Sequence, residues 1–182
     1  MDYTKYQFSR KEYANYAAMF LVLDGVISYL FYRSVIVFLI GLLFLKSFLK
    51  IQRERLCQKR RQNLEEQFLM AMQTVITSLT AGYSVETAFA DALKELLLVY
   101  KETDMIVQEF QAIVSQLRMN QNLEELLQSL AIRSGIEDIR NFAEIFAISK
   151  RSGGNLIAII RNTVQSIAQK NETRKEIQVI LS

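Results

Sequence analysis

The distribution of apolar positions divides the chain into two parts. Between residues 14 and 49 almost every position is apolar, and only Asp24, Arg33 and Lys46 carry charge. Since about 20 apolar residues cross a bilayer, this run holds either one long tilted helix or two short ones. Beyond residue 62, apolar residues recur at every third or fourth position, which is typical of amphipathic helices packed in a domain.

The charges that flank the apolar run favour two short helices. A few cations precede the run and a dense basic strip follows it. Because the cytoplasmic flanks of membrane helices are rich in Lys and Arg, both ends are expected in the cytosol, with Arg33 near an outer turn. The sequence therefore predicts a cytoplasmic tail over residues 1–12 and a transmembrane helical hairpin over residues 13–49. Hydrophobic residues make up 51% of the chain, which agrees with a part that lies in lipid.

Asp24 is an unusual residue for a membrane helix. A carboxylate inside a bilayer is costly, so such a group either reaches water or faces a polar partner. Two interpretations stay open. Asp24 lies in the outer half of a short helix and reaches water, or it contacts a polar group of another membrane subunit.

The chain beyond residue 62 has no proline and only four glycines, so few residues interrupt its helices. No alternation typical of strands competes with the helical spacing. Six helices are predicted, with these approximate bounds: the basic strip to Ala81, the segment VETAFADALKELLL after Ser84, Asp104 to Arg118, Asn122 to Gly135, Glu137 to the cations before the paired glycines, and Asn155 to the end. Short connections between them favour an antiparallel six-helix bundle, and the fold class is all-α.

Caps and core positions follow from the same pattern. Gly82 is the expected left-handed residue that ends the first bundle helix, and Ser84 is the expected N-cap of the second. Asn122, with Glu125 three places later, resembles a capping box. The apolar stripes are assigned to the core, and in the fifth helix they comprise Ile139, Phe142, Ala143, Ile145, Phe146 and Ile148.

The net charge of +3 conceals an uneven distribution. Residues 46–61 carry seven cations against one anion, whereas residues 62–182 carry eleven cations and fifteen anions. The acidic balance of the larger part argues against a nucleic-acid-binding domain, which needs cations spread over its docking face. A basic juxtamembrane segment is therefore assigned to residues 50–62.

The cations of this region are expected at the membrane surface. Anionic headgroups attract each such cation by about 1 kcal/mol. A solvated helix face is the alternative interpretation. We refer to the following residues as the basic collar: Lys46, Lys50, Arg53, Arg55, Lys59, Arg60 and Arg61.

The residue types that most often serve catalysis or metal binding are scarce in the sequence. Cys57 is the single cysteine and the chain has no histidine, which excludes an intramolecular disulfide and any pairing of a cysteine with a histidine. Adjacent acids, such as Glu65 with Glu66 and Glu137 with Asp138, are interpreted as charge on helix surfaces. We therefore expect a protein without catalytic residues, cofactor or metal, whose cysteine faces a reducing cytosol.

Two adjacent glycines, Gly153 and Gly154 in the segment KRSGGNL, allow two interpretations. A phosphate-binding loop needs backbone amides that converge at a helix N-terminus, commonly after a strand. Here a helix precedes the glycines, Lys150 and Arg151 lie in its last turn, and Asn155 is placed to cap the next helix. The segment is therefore predicted to be a joint between two helices.

Several segments together resemble one protein family. They are AGYSVETAFADA, LRMNQNLEELLQSLAIRSGIEDIRNFAEIFAISKRSGGNL and the long terminal helix. Their combined spacing resembles the cytoplasmic domain of the type II secretion system F family, and most closely its tight-adherence (Tad) pilus platform branch. The resemblance covers residues 60–182, and the paired apolar helices with LFYRS at their junction also fit it. Residues 63–182 are thus interpreted as a cytoplasmic type II secretion F-like domain.

The resemblance implies a non-enzymatic platform protein of the bacterial inner membrane. In such assemblies the cytoplasmic bundle is expected to meet a hexameric secretion ATPase and to pass its motion to membrane helices that load pilins. A paralogous platform subunit, pilins and membrane lipids are the other implied partners, in a homo- or hetero-oligomer that binds no nucleic acid. The family also implies further transmembrane helices after the equivalent of residue 182.

The recurrent motif positions of the family fall on these residues: Gly82, Gly135, Glu144, Arg151, Gly153, Gly154 and Asn155. Caps and close packing account for the glycines and Asn155, so Glu144 and Arg151 are the better candidates for partner contacts. The partner-binding set implied by the resemblance is Glu144, Arg151, Gly153, Gly154 and Asn155.

Two other functional classes fit parts of the sequence. A membrane-anchored helical signalling adaptor would relay motion of the hairpin to a soluble partner. An enzyme would bind a phosphorylated ligand at Gly153 and Gly154. The platform subunit is the hypothesis that accounts for the hairpin, the collar and the acidic helical domain together.

Overall fold

Helices form the whole secondary structure of the described part of the chain. The computed structural model describes residue 3 and residues 9–32, 35–151 and 156–180, with the backbone alone for residues 31–32, 35–42 and 178. No strand occurs in these ranges, and the all-α prediction is confirmed. The elements are α1 Arg10–Ile27, continued by a π-helical segment Ser28–Tyr32, then α2 Val35–Thr80, α3 Val85–Val99, α4 Met105–Arg118, α5 Leu123–Ser134, α6 Glu137–Arg151 and α7 Leu156–Ile180.

The chain divides into two compact units, Tyr3–Arg60 and the part from Arg61 onward. The division falls inside α2, a helix of 46 residues. The sequence predicted that the first bundle helix begins in the basic strip, but α2 begins already at Val35. No proline, and no glycine after Gly41, interrupts its backbone hydrogen bonding, so nothing in the sequence separates the apolar segment from the basic strip.

Gly82 ends α2, as predicted. Its φ of +89° lies in the left-handed region that glycine adopts without strain. The Gly82 amide donates to the Leu79 carbonyl at 3.1 Å, and the Tyr83 amide donates to the Ser78 carbonyl at 3.1 Å. This pair of bonds is the Schellman motif, which satisfies two carbonyls that the end of a helix leaves without partners.

The same motif ends α4 without a glycine. Asn120 has a φ of +60°, its amide donates to the Leu117 carbonyl at 2.9 Å, and the Gln121 amide donates to the Gln116 carbonyl at 3.1 Å. Asparagine tolerates the left-handed region better than most residues, so it replaces glycine here. Gly135, with a φ of +61°, ends α5 in the same region.

The predicted N-caps are confirmed in position and only partly in detail. Ser84 precedes α3, and its hydroxyl accepts a hydrogen bond from the Thr87 amide at 3.2 Å. Asn122 precedes α5, but its side chain does not cap the helix. The predicted capping box is therefore wrong, because the Asn122 amide instead lies 3.4 Å from the Glu125 carboxylate.

Aromatic side chains connect the helices of the unit from Arg61 onward. Phe68 of α2 meets Phe142 of α6 edge-on, with ring centroids 5.4 Å apart. Phe89 of α3 stacks on Phe110 of α4 at 5.6 Å. All four rings are buried, and each such side chain stabilises the fold by about 1.5 to 3 kcal/mol relative to an exposed one. Packing of α3 on α4, α4 on α5, α5 on α6 and α6 on α7 completes this core.

The assignment to the core is wrong for two residues of α6. Ile145 and Ile148 are 36% and 64% exposed, whereas the other positions predicted in this helix are buried. Successive helical residues are about 100° apart, so Ile148 lies about 120° away from Phe142 around the helix axis. Phe142 faces the neighbouring helices, whereas the side chain of Ile148 points to a side of α6 that is mostly exposed.

Candidate functional site

α1 is an apolar helix that the rest of its unit does not cover. The stretch Arg10–Leu30 is long and apolar enough to cross a membrane, with a mean hydropathy of 1.2, and only 6% of its apolar window is buried. Among the residues that the structure describes, no second stretch meets this test. Its exposed large apolar side chains are Tyr13, Met19, Leu21, Val22, Leu23, Val26, Ile27, Tyr29 and Leu30. Length, composition and exposure together make it a candidate membrane span.

Two sets of contacts join residues in the first half of the unit Tyr3–Arg60 to residues in its second half. The ring of Phe20 in α1 lies 5.2 Å from the ring of Phe48 in α2. The thiol of Cys57 donates to the Tyr3 carbonyl at 3.5 Å, and the Arg60 guanidinium lies over the Tyr3 ring at 5.1 Å. A cation above an aromatic face is attracted to it, so Arg60 contributes a second contact at this end of the unit.

Asp24 lies half-buried in α1, and its Oδ2 atom is buried without a hydrogen-bond partner. A carboxylate oxygen that neither water nor a donor reaches is costly. The chain itself covers this atom, so it accepts no hydrogen bond from another subunit, and both interpretations drawn from the sequence concern the other oxygen of Asp24.

The basic collar lies entirely on α2. Arg60 and Arg61 are half-buried, and the other five cations are exposed. The Nε atom of Arg61 is buried without a hydrogen-bond partner. By helical periodicity the exposed cations occupy two sides of the helix: Lys46, Lys50 and Arg53 on one side, Arg55 and Lys59 on the other.

In the unit from Arg61 onward, a groove of about 480 Å³ lies between α5 and α6. Ile132 and Ala147 supply its apolar lining, and Ile132 is 68% exposed. Arg133 and Arg151 also line the groove. Arg133 donates to the buried carboxylate of Glu109 in α4, so this cation is held in place, whereas Arg151 is exposed.

Glu124, which also lines this groove, forms an ion pair with α6. Lys150 Nζ lies 2.9 Å from Glu124 Oε2. Partial burial opposes the charge on Glu124, but the hydrogen bond from Lys150, a backbone hydrogen bond at its own position and the charge of nearby Arg151 outweigh it, so the pKa of Glu124 is lowered. The groove therefore combines an exposed isoleucine with fixed charges of both signs, which suits a protein partner better than a small apolar ligand.

The structure brings two of the predicted partner-binding residues to one face of α6. Glu144 and Arg151 are both exposed, and their separation of seven residues corresponds to two helical turns, about 10 Å along the axis. Ile148 lies between them on the same face. The other predicted residues of this set, Gly153, Gly154 and Asn155, lie outside the described residues.

A second polar site, buried rather than open, lies where α2, α6 and α7 meet. Glu65 of α2, Asp138 of α6 and Asn171 of α7 are 6%, 5% and 9% exposed. Lys170 Nζ lies 2.7 Å from Asp138 Oδ1, and Arg174 Nη1 lies 3.8 Å from Glu65 Oε2. The sequence-based interpretation of Glu65 and Asp138 as helix-surface charge is therefore wrong, because both side chains lie between helices.

The two carboxyl groups of this site have pKa shifts of opposite direction. Burial, together with the hydrogen bond and the negative charge of Asp138, raises the pKa of Glu65 to about 7. Burial also opposes the charge on Asp138, but the hydrogen bonds from Glu65 and Lys170 outweigh it and lower the pKa of Asp138. At acidic to neutral pH, Glu65 is therefore the neutral donor of the pair and Asp138 the charged acceptor.

The position of these polar residues along their helices could have revealed them. Glu65 precedes Phe68 by three residues, and Asp138 precedes Phe142 by four, so each extends a buried apolar stripe by one turn. Asn171 extends the stripe of α7 in the same way. Residue type led to the surface interpretation, whereas helical position indicated burial.

No protein-family model, curated protein or solved structure matches this chain. The family resemblance of its motifs therefore stays a prediction.

Proposed function

We propose that the protein is a non-enzymatic platform subunit of the bacterial inner membrane that couples a cytoplasmic secretion ATPase to pilin assembly, in a Tad pilus or type II secretion machine. Its partners are the hexameric ATPase, a paralogous platform subunit, pilins and membrane lipids. The observation that carries the proposal is a chain that joins an exposed apolar helix, through a helix bearing the basic collar, to a helical body with the combined motif spacing of that family.

A hairpin in the membrane is supported by the contacts of the first unit. In an antiparallel pair of helices, contacts share a common midpoint in the sequence. The midpoint of the pair Tyr3 and Cys57 is residue 30, and that of Phe20 and Phe48 is residue 34. Both fall at or next to the π-helical segment Ser28–Tyr32, where α1 ends. We infer that α1 and the apolar first part of α2 cross the membrane as two arms, with both flanks in the cytosol.

The basic collar follows the second arm directly. With each cation attracted to anionic headgroups by about 1 kcal/mol, its five exposed members hold this part of α2 at the cytoplasmic surface. The attraction falls off within a Debye length, so it acts only on residues next to the membrane. The unit from Arg61 onward is then the cytoplasmic body.

Ion pairs between consecutive helices support an antiparallel bundle that transmits motion. Three of them lie between neighbours in sequence: Glu109 with Arg133 joins α4 to α5, Glu124 with Lys150 joins α5 to α6, and Asp138 with Lys170 joins α6 to α7. The two pairs with half-exposed lysines, those of Lys150 and Lys170, contribute less than about 1 kcal/mol each to stability. They still favour one register between neighbouring helices. A body of this kind moves as a whole when a partner displaces one of its faces.

We place the ATPase contact on the α5–α6 groove and the adjoining face of α6. This surface holds Arg151 and Glu144, the two candidates from the sequence, together with the exposed side chains of Ile132 and Ile148. Isolated apolar side chains beside an Arg are typical of the few residues that dominate the energy of a protein interface.

Co-purification with a secretion ATPase of the same organism tests the proposal. The full chain, solubilised in detergent, is expected to retain the ATPase and to hydrolyse no ATP by itself. Ile132→Asp and Arg151→Glu are expected to weaken binding at least about tenfold, which corresponds to 1.4 kcal/mol. The matched controls are Leu98→Asp, at an exposed apolar residue of α3, and Arg118→Glu, at an exposed cation of α4, a helix that does not line the groove. Both controls are expected to bind like the natural chain.

Three other results of these binding experiments would change the proposal. Absence of any ATPase association in both co-purification and two-hybrid assays contradicts the platform proposal. Capture of a regulatory protein in place of the ATPase indicates the signalling adaptor. Equal loss of binding in the groove variants and their controls leaves the platform assignment standing and overturns the placement of the contact.

A further inference from the structure

The buried polar site between α2, α6 and α7 has no role in the proposed coupling. Glu65 and Asp138 are both more than nine-tenths buried, and they belong to helices that are far apart in the sequence. Their side chains are hydrogen-bonded to each other. Two carboxylates cannot form such a bond without a proton, because an ionised carboxylate is an acceptor only.

The surroundings of Glu65 indicate that this residue, and not Asp138, carries the proton. Its Oε1 atom is buried and accepts no hydrogen bond. As an ionised group, Glu65 would therefore leave a buried charged oxygen without a donor, which is costly. As a neutral carboxyl group it becomes a donor, and Asp138 is the acceptor beside it.

The charges around Glu65 and Asp138 are balanced when the two carboxyl groups together bind one proton. On α7, Lys170 bonds Asp138 at 2.7 Å, and Arg174 stands 3.8 Å from Glu65 with 44% of its side chain exposed. On α2, the neighbouring Glu66 pairs with Lys175 of α7 at 2.8 Å on the exposed side. With one proton bound, the buried part of the site holds one anion opposite Lys170. Loss of the proton adds a second buried anion beside Asp138, and on α7 the Asn171 side chain and the partly solvated Arg174 face it.

We propose that Glu65 and Asp138 share one proton, and that this proton fastens α6 to α2, so that α6 loosens from α2 when the proton is lost. The site is a proton-sensitive joint within the helical body. The contacts of α7 do not depend on the proton in this way, because Asn171 and Arg174 favour the ionised form of Glu65 and Lys170 pairs with the charged Asp138.

The direction of the pH dependence follows from the two pKa shifts. Burial and Asp138 raise the pKa of Glu65 from 4.5 to about 7, so its contribution to the joint is complete below pH 4.5, decreases as pH rises, and is lost above about 7. The lowered pKa of Asp138 has the opposite effect, since its contribution is present above 3.8 and is lost only in stronger acid. Between pH 5 and 7 the change therefore reports on Glu65.

Infrared spectroscopy of the full chain in lipid nanodiscs tests for the proton. The natural chain is expected to show the C=O band of a neutral carboxyl group that disappears on titration with a midpoint near pH 7. Glu65→Gln, a neutral residue of the same shape, is expected to abolish this transition. Glu66→Gln, at the adjacent exposed carboxylate, is the matched control and is expected to retain it.

Hydrogen exchange of the α6 amides, corrected for the intrinsic effect of pH on exchange, tests the fastening. Protection in the natural chain and in Glu66→Gln is expected to fall by up to about tenfold per pH unit between pH 5 and 7. In Glu65→Gln it is expected to stay constant over this range. Asp138→Asn gives an independent readout, since an amide donor beside Glu65 favours its ionised form and should move the infrared midpoint down by at least about one pH unit.

Three results would overturn the proposal: an infrared transition near neutral pH that persists in Glu65→Gln, the lack of any such transition in the natural chain, or α6 protection that is constant between pH 5 and 8. If Glu65→Gln fails to fold, the titration of the natural chain and of Asp138→Asn decides the outcome.

Discussion

The rings of Phe20 and Phe48 lie 5.2 Å apart and tilted by 42°, although 27 residues separate them in the sequence. This contact places a residue from the middle of α1 beside α2, twelve residues before the division between the two units at Arg60. Offset or tilted aromatic pairs add about 0.5 to 1.5 kcal/mol beyond the area they bury. The proposed membrane hairpin depends on this contact and on that between Tyr3 and Cys57.

Crosslinking tests the second of these contacts. Tyr3→Cys places a thiol beside the native Cys57, whose Sγ lies 3.5 Å from the Tyr3 carbonyl. A short bifunctional maleimide is expected to join the two thiols within one molecule in native membranes, and peptide mass spectrometry would identify the linked segments.

The crosslink has two controls. Tyr3→Cys combined with Cys57→Ser leaves a single thiol and is expected to give no intramolecular product. Met19→Cys places an exposed thiol in α1 next to Phe20, which contacts α2 nine residues before Cys57, about 14 Å along the axis. Equal crosslinking from positions 3 and 19 would contradict the arrangement.

Removal of Arg133 is expected to destabilise the helical body. Its guanidinium donates to Glu109, whose side chain is only 5% exposed, and loss of the cation takes this charged donor away from the buried carboxylate. We expect Arg133→Met to lower the free energy of unfolding by about 2 to 4 kcal/mol, below the range for fully buried pairs because Arg133 is itself 33% exposed.

Chemical denaturation of the full chain in detergent, followed by circular dichroism, measures this change. Arg133→Met combined with Glu109→Leu removes both charges and is expected to recover much of the loss. Arg140→Met, at an exposed cation of α6, is the control, with an expected change within about 0.5 kcal/mol. A loss in Arg133→Met no larger than that of the control would show that the pair contributes little.

Two isoleucines of α6 are expected to differ sharply. Ile139 is 1% exposed and Ile148 is 64% exposed, although the apolar pattern of the sequence assigned both to the core. Ile139→Ala is expected to cost about 2 to 5 kcal/mol of unfolding free energy, since it removes buried methyl groups and leaves a cavity. Ile148→Ala should change stability by less than about 0.5 kcal/mol. Similar losses in the two variants would show that α6 is covered on both sides.

The helices, and most of their ends, could be predicted from the sequence because local physical chemistry determines them. In α4, the apolar stripe that the sequence assigned to the core is buried at all six positions: Ile106, Val107, Phe110, Ile113, Val114 and Leu117. The left-handed Gly82 and the N-cap Ser84 follow from residue type and position alone. The end of α4 at Arg118 was predicted, but the left-handed conformation of Asn120 was not, since asparagine adopts this region less regularly than glycine.

The sites could not be predicted to the same degree, because they depend on which neighbour covers each position. Periodicity gives the direction of a side chain around its helix, and it does not tell whether another helix lies there. Ile148 is exposed and Glu65 is buried for this reason. Glu65 and Asp138 are 73 positions apart in the sequence, so their pairing depends on how α2 packs against α6. The apolar pattern of a single helix carries no information on this packing.

The sidedness of three positions in the membrane tests the central claim most directly. Single cysteines are introduced by Arg55→Cys, Asn162→Cys and Tyr29→Cys in a Cys57→Ser background, and intact spheroplasts are treated with a membrane-impermeant maleimide. The account predicts that Tyr29→Cys, in the exposed π-helical segment, is labelled from outside, and that the other two react only after the inner membrane is opened. Labelling that places positions 55 and 162 on opposite sides, or position 29 on the same side as position 55, would contradict it.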